Sequence, residues 1–276
     1  MKYLYWITVL CFIPAFLSLD DSPVSDKPEF QWPEEVSRLT SIEFKTDEME
    51  NASYKDYLIG KINYRKDSAF VKVDSQHTDK TTYLRKEVYQ AFLEMRQAAM
   101  NDGLELIIVS GARNFEYQKW IWNLKWKAHI ADDSEDRALD ILKYSSMPGS
   151  SRHHWGTDID LNELENSYFE SGEGREIYTW LKENAGKYGF CQVYTDKKEG
   201  RTGYEMEHWH WSYMPIAHKL LKDYNELISY KDIKGFKGSE TARNIRLIEN
   251  YVNGVDCHDF PQHTDTAYNY KKKETD

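Results

Sequence analysis

Two short stretches of this sequence gather residues able to do chemistry. SRHHWGTDID, Ser151 to Asp160, places two histidines and two aspartates around one glycine, and EMEHWHW, Glu205 to Trp211, adds two more histidines and two glutamates. Imidazole and carboxylate are the donor set of zinc, and a catalytic zinc keeps three protein ligands and one position open to water. His153 and Asp160 are seven positions apart and would sit on opposite faces of a continuous strand; a turn at Gly156 lets both point to one side. The second stretch can supply a third ligand in two ways. In an extended chain His208 and His210 share a face and form a ligand pair. If the strand ends or bulges there, His210 binds the metal and Glu207 activates a water. A reading without metal makes these the histidines of two aromatic strands that satisfy buried hydrogen bonds.

These residues need elements to hold them. Thr157, Ile159 and Leu161 alternate strictly with Asp158, Asp160 and Asn162, the pattern of a strand with one polar face. A shorter strand is expected at Ala69–Val73 and a buried one at Leu104–Ser110. Helical spacing begins at Thr81 and runs through Tyr83, Leu84, Val88, Phe92, Met95 and Ala99 to a stop at Gly103. Further helical patterns start near Phe115, cover Glu176–Tyr188, open at Pro215 and close with Thr241–Val252. Trp120, Trp122, Trp126, Trp155, Trp209 and Trp211 fall at helix or strand spacings and are core residues on that ground; Trp155 and Trp209 also adjoin the ligand candidates and are placed to wall a cleft. Helices and strands mix without a βαβ order. The class is therefore α+β, a small, mainly antiparallel sheet carrying the site and flanked by helices.

The opening MKYLYWITVLCFIPAFLSLDD has Lys2 ahead of an apolar run to Leu19 and two aspartates directly after it. That order predicts export, with residues 1–19 a signal peptide or an uncleaved N-terminal anchor. Residues 20–38, with three prolines, read as a linker; 39–228 as the functional domain; 229–276 as a C-terminal helix and tail packed on the domain or trailing it. Cys191 and Cys257 remain beyond the export segment, and an oxidising compartment permits a disulfide between them. A formal net charge of -10 and no basic block set the chain against nucleic acid as partner. Membrane contact is expected only through the N-terminal segment, and no oligomeric state follows.

Three stretches in order carry a family resemblance. SRHHWGTDID resembles the S-x-H-x-x-G-x-A-x-D signature of the zinc peptidases grouped with lysostaphin, D-Ala-D-Ala carboxypeptidases and hedgehog domains. EHWH resembles the E-x-W-H of the D-Ala-D-Ala branch, and SGARNFEYQ, Ser110 to Gln118, its S-G-x-R-x-x-x-x-Q stretch. Together they look like a VanY-type D-alanyl-D-alanine carboxypeptidase over residues 82–216. The resemblance implies Zn²⁺ held by His153, Asp160 and His210, Glu207 as general base, and Arg113 holding the substrate's terminal carboxylate or the oxyanion. It sets Gln118 and Ser151 on the substrate side. The implied substrate is the D-alanine end of a peptidoglycan stem peptide, met in the periplasm or cell envelope. An L,D-carboxypeptidase, a D-alanyl dipeptidase and an endopeptidase share this chemistry, and a non-catalytic zinc-containing binding module shares the metal site. One position departs from the signature: Asp158 stands where the pattern has Ala, so two aspartates compete for the metal. His208, between the base and Trp209, is either a proton shuttle or a packing residue.

Overall fold

The strand bearing Asp158 and Asp160 lies inside a four-stranded antiparallel sheet. A computed structural model describes residues 53–257, apart from 130 and 132. The expected export segment (1–19), the linker (20–38) and the tail past 257 lie outside the described residues. The sheet runs β3 (Ile108–Ser110), β4 (Asp158–Leu161), β6 (His210–Tyr213), β5 (Phe190–Cys191) across its width. In the central pair Asp160 faces His210, Ile159 faces Trp211 and Asp158 faces Ser212.

The two-residue period of a strand separates these side chains cleanly. Ile159, Leu161 and Trp211 enter one apolar cluster with Val88, Phe92, Met95 and Ala99 of α2 (Lys86–Asn101) and Ile177 and Leu181 of α5 (Gly172–Asn184). The four α2 residues recur at three- and four-residue steps and are fully buried; Val, Phe and Met side chains each contribute roughly 1.5–3 kcal/mol by leaving water. Asp158, Asp160, His210 and Ser212 occupy the other face. All four residues of β4 are nonetheless buried, so its polar face is enclosed.

A second cluster joins Phe115, Trp122 and Trp126 of α3 (Phe115–Ala128), Ala138 and Ile141 of α4 (Ser134–Ile141), Tyr194, and the chain from Ile233 to Val255. Tyr194 from this cluster lies against the His210 ring, centroids 4.5 Å apart. A third cluster packs Leu58 of α1 (Tyr54–Leu58) and Trp155 against Leu220 and Tyr224 of α6 (Met214–Leu227). A two-stranded sheet, β1 (Phe70–Lys72) with β2 (Tyr83–Arg85), braces the turn before β4. The Arg85 amide and Nε bind the carbonyls of Gly156 and Trp155, at 3.2 and 2.8 Å. Among the described residues no helix is long and apolar enough to cross a membrane.

Several expected elements shift. Tyr83 and Leu84 belong to β2, because apolar residues at 83, 84 and 88 suit both a helix and a strand leading into one; the helix starts at Lys86. The strand at Leu104–Ser110 shortens to Ile108–Ser110, since Asn162, at φ 60°, takes both backbone groups of Ile107. The helix expected over Thr241–Val252 is a 3₁₀ turn (Ser239–Ala242) and a π turn (Ile248–Val252), separated by Arg246 at φ 54°. A non-glycine residue in that region ends a right-handed helix. The segment still packs inward, and a disulfide joins Cys257 to Cys191 at the edge of the sheet.

Candidate metal centre and active site

His153 sits on a 3₁₀ turn, Arg152–Trp155, that Gly156 closes in the left-handed region at φ 68°. A Cβ at position 156 would lie 2.3 Å from the Phe70 ring, so only glycine permits this tight passage into β4. The His153 Nδ1 donates to the carbonyl of Gly111 at 2.8 Å, which leaves Nε2 as the free lone pair. That Nε2 is buried without a hydrogen-bond partner and faces Asp160 Oδ2 at 3.3 Å. Across the register, His210 presents Nδ1 to Asp160 Oδ1 at 3.0 Å.

The structure thus brings His153, Asp160 and His210 together, each offering one ligand atom within 4.8 Å of the others, and all three are buried. Zinc with ligands at 2.0–2.1 Å in a tetrahedron sets donor atoms about 3.3 Å apart. A donor set of two nitrogens and one oxygen, with one nitrogen buried and unpartnered, fits that ion.

The two aspartates separate. Asp158 lies on the far side of the His210 ring, where its Oδ1 meets Nε2 at 3.0 Å, and it also accepts from Arg152 Nε at 3.0 Å and from Thr157. Asp160 alone meets both histidine nitrogens that point inward. Burial raises both carboxyl groups, but neighbours outweigh it: His153 and His210 hold Asp160 well below the usual carboxylate range, and Arg152 and His210 do the same for Asp158. Burial pushes His210 down, yet its hydrogen bonds to Asp158 and Asp160 carry it up to about 9.

Glu207 stands in the loop before β6, since the strand begins only at His210. The loop is pinned: Glu207 N donates to Tyr194 O at 3.0 Å, Gln192 Nε2 donates to Glu207 O at 3.0 Å, and His208 N donates to Asn166 Oδ1 at 3.0 Å. Its carboxylate comes within 3.7 Å of His210 Nδ1. Burial, with the charge of Asp160, pushes its pKa up to about 7 against the pull of His210, Arg113 and Lys125. A carboxyl group poised there can take and return a proton near neutral pH. His208 instead packs between Phe169 and Tyr178, ring centroids 5.9 and 4.2 Å away, and is not one of the three clustered ligands. The His208–His210 pairing therefore does not form.

Arg113 reaches Asp160 Oδ2 at 3.9 Å, and its Nε is buried without a partner. Its backbone is clamped by His153 O at 3.0 Å and by His154 Nδ1 at 2.7 Å. His154 also accepts from Gly149 N at 2.9 Å; both ring nitrogens serve the backbone, and burial lowers its pKa to about 3. It is a structural staple. Gln118 is fully buried on α3, donating to Ser146 O at 2.8 Å, with its Oε1 unpartnered. Ser151 Oγ is buried and unpartnered and makes no cap bond to the turn that follows. Trp155 turns its ring into the third cluster, its Nε1 donating to Leu58 O at 3.0 Å, and does not wall the cleft.

Sequence reading missed four contributors. Arg152 and Ser212 join Asp158 beneath His210; an Arg and an Asp on a buried turn and strand were the available sign of a pair. Lys80 and Lys125 bring further positive charge. Burial and Arg113 press the pKa of Lys80 down to about 8 while Asp160 opposes, and Lys125 is lowered by burial and Arg113 while Glu207 opposes. No local pattern marks either lysine.

Residues 81–216 match the family described as VanY: D-alanyl-D-alanine carboxypeptidase. The chain is 34% identical over 148 residues to YodJ of Bacillus subtilis, covering 51% of this chain and 50% of that protein. To a D-alanyl-D-alanine carboxypeptidase of Enterococcus faecalis it is 32% identical over 126 residues, 45% of each. It is also similar to a solved structure described as VanYB in complex with D-alanine-D-alanine, at 25% identity and a TM-score of 0.45 over 61% of this chain and 93% of that one. The chain spans about half the length of the curated relatives it matches. The matched stretch holds every clustered residue from Arg113 to His210, and over that stretch the chain is similar to the family described as VanY: D-alanyl-D-alanine carboxypeptidase.

Proposed function

We propose that this protein is an exported, zinc-dependent D-alanyl-D-alanine carboxypeptidase that removes the terminal D-alanine of peptidoglycan stem peptides. The observation that carries the reading is the convergence of His153, Asp160 and His210, within 4.8 Å, with Glu207 and Arg113 beside them. Those three residues would hold the zinc; when bound, it supplies a Lewis acid for the scissile carbonyl and brings the pKa of water toward neutrality. Glu207 accepts the proton of the attacking water and returns it to the departing D-alanine nitrogen. Burial favours the protonated form of its carboxyl group and so makes it a better proton acceptor than an exposed carboxylate. Arg113 meets the C-terminal carboxylate, whose two oxygens match the planar fork of a guanidinium. Lys80 and Lys125 add positive potential around Arg113 and favour an anionic peptide end. Gln118 and Ser151, on the substrate side by resemblance, are buried behind the site surface with Oε1 and Oγ unpartnered, and brace the site from within. The Cys191–Cys257 disulfide and the apolar N-terminal run after Lys2 support a site of action outside the cytoplasmic membrane.

The test is a stem pentapeptide ending in D-Ala-D-Ala, incubated with the purified protein and followed by product mass with and without a chelator. Loss of one alanine, abolished by chelation and restored by zinc, is the expected result. Release of a dipeptide or an internal fragment would keep the chemistry and move the bond. No cleavage by folded, zinc-loaded protein would overturn the reading.

A further inference from the structure

Asp158 has a set of contacts that a metal ligand would not have and that an isolated ion pair does not need. We propose that Asp158 is a positioning residue: held by Arg152 and Thr157, it fixes the His210 ring so that Nε2 carries the proton and Nδ1 is presented to zinc. This rests on the metal site of the proposed function and adds a residue to it.

The register makes the geometry. Asp158 and Asp160 lie two residues apart on one face of β4, and His210 projects from β6 opposite Asp160. Its ring spans the step between them, Nδ1 at 3.0 Å from Asp160 and Nε2 at 3.0 Å from Asp158. The two ring nitrogens point away from each other, so an ion at Nδ1 is directed away from Asp158. In a neutral imidazole one nitrogen carries the proton and the other the lone pair. A carboxylate accepting from Nε2 therefore commits Nδ1 to the metal and raises its basicity. His153 obtains the same service from the Gly111 carbonyl.

Asp158 is held in turn. Arg152 Nε donates to Oδ1 at 3.0 Å, Thr157 donates to Oδ2, and Arg152 Nη2 reaches Ser212 Oγ at 2.6 Å, opposite Asp158 in the register. The Arg152 guanidinium also lies over the Trp155 ring, 5.0 Å from its centroid. Asp158 and Arg152 are almost fully buried, which fixes the pair in one arrangement. The family signature has Ala at position 158, so this support distinguishes the chain from that pattern.

The experiment compares zinc affinity, by competition with a chromophoric chelator, in wild type, Asp158→Asn and the double variant Asp158→Ala/Arg152→Met. The double variant removes both buried charges together and so avoids stranding Arg152; thermal melts establish that each protein is folded. The amide introduced by Asp158→Asn would keep an oxygen for His210 and Arg152 while Thr157 turns to accept from its NH₂ group, so the loss stays below about tenfold. The double variant is expected to lose roughly 10–100-fold in affinity. In ¹⁵N spectra of the zinc-loaded proteins, the His210 Nε2–H signal should persist in wild type and Asp158→Asn and exchange away in the double variant. Equal zinc affinity in wild type and a folded double variant, or a protected Nε2–H there, would overturn the role of Asp158 and leave the proposed function standing. A wild type that takes up no zinc would overturn both.

Discussion

The disulfide between Cys191 and Cys257 offers a prediction whose size follows from the chain itself. It closes a loop of sequence separation 66. The chain-entropy relation gives about 14–15 cal/mol/K for a loop of that length, or about 4 kcal/mol at 25 °C, removed from the unfolded ensemble. For a domain of this size each kcal/mol moves the midpoint by roughly 2–4 °C, so reduction, or Cys191→Ser/Cys257→Ser, should lower Tm by roughly 10–15 °C. The loss would not remain at the edge of the sheet. Next to the bridge, Asp256 N donates to Val193 O at 2.9 Å and Thr195 donates to Asp256 at 2.8 Å, while Gln192 and Tyr194 hold the backbone of Glu207. Amide exchange should therefore rise first at Val193–Thr195 and Glu207, before the helix Lys86–Asn101. Thermal melts with and without reductant read the first effect, and hydrogen exchange reads the second. A midpoint that moved by less than a couple of degrees would refute the reasoning that the bridge anchors the C-terminal segment to the base-bearing loop.

Other outcomes follow from single side chains. Glu207→Gln should leave zinc content unchanged while lowering kcat by roughly 10²–10⁴-fold, measured on the pentapeptide; an unchanged rate would remove Glu207 as the base. His153→Ala and His210→Ala should each lower zinc content measured by elemental analysis after dialysis, and full retention in both would refute the ligand set. Arg113→Ala should cost roughly 10–100-fold in kcat/KM on the free acid, the size of one lost charged hydrogen bond, and almost nothing on the C-terminal amide. Equal losses on both substrates would detach Arg113 from the carboxylate. Gly156→Ala forces a Cβ into the Phe70 ring at positive φ and should destabilise the fold by at least about 1–3 kcal/mol in chemical unfolding; an unaltered midpoint would show that the turn relaxes freely.

What could be read in advance was whatever one segment decides alone. Alternation over Thr157–Asn162 is a local property, and it placed Asp158 and Asp160 on one face. The turn at Gly156 was legible because His153 and Asp160 could not otherwise converge. The choice between the two aspartates was not local. It depends on which strand lies beside β4 and in which register, and only the pairing of Asp160 with His210 puts one carboxylate inside the cluster and the other behind the ring. His208 was ambiguous for the same reason: its side depends on where β6 begins, and β6 begins two residues later, at His210. The start of α2 misled because three apolar positions fit two periods, and the last helix because nothing in Thr241–Val252 announces Arg246 at φ 54°.

The enclosed polar face can be understood through its charges. Asp158 and Arg152 neutralise each other and are held by Thr157, Ser212 and His210, so they add orientation with little net charge. That leaves Asp160, and Glu207 when ionised, as the negative groups facing the ligand cluster, which is the charge a divalent ion would neutralise. His153 and His210 are then neutral donors, each with its second nitrogen bound away from the metal. On the proposed reading Arg113 is freed from Asp160, only a 3.9 Å contact, to meet a substrate carboxylate. A site built from Asp160 alone would need no second aspartate on β4. The second one makes sense as the group that decides which face of His210 the metal sees, and its ion pair with Arg152 is what lets a carboxylate stay charged there without water.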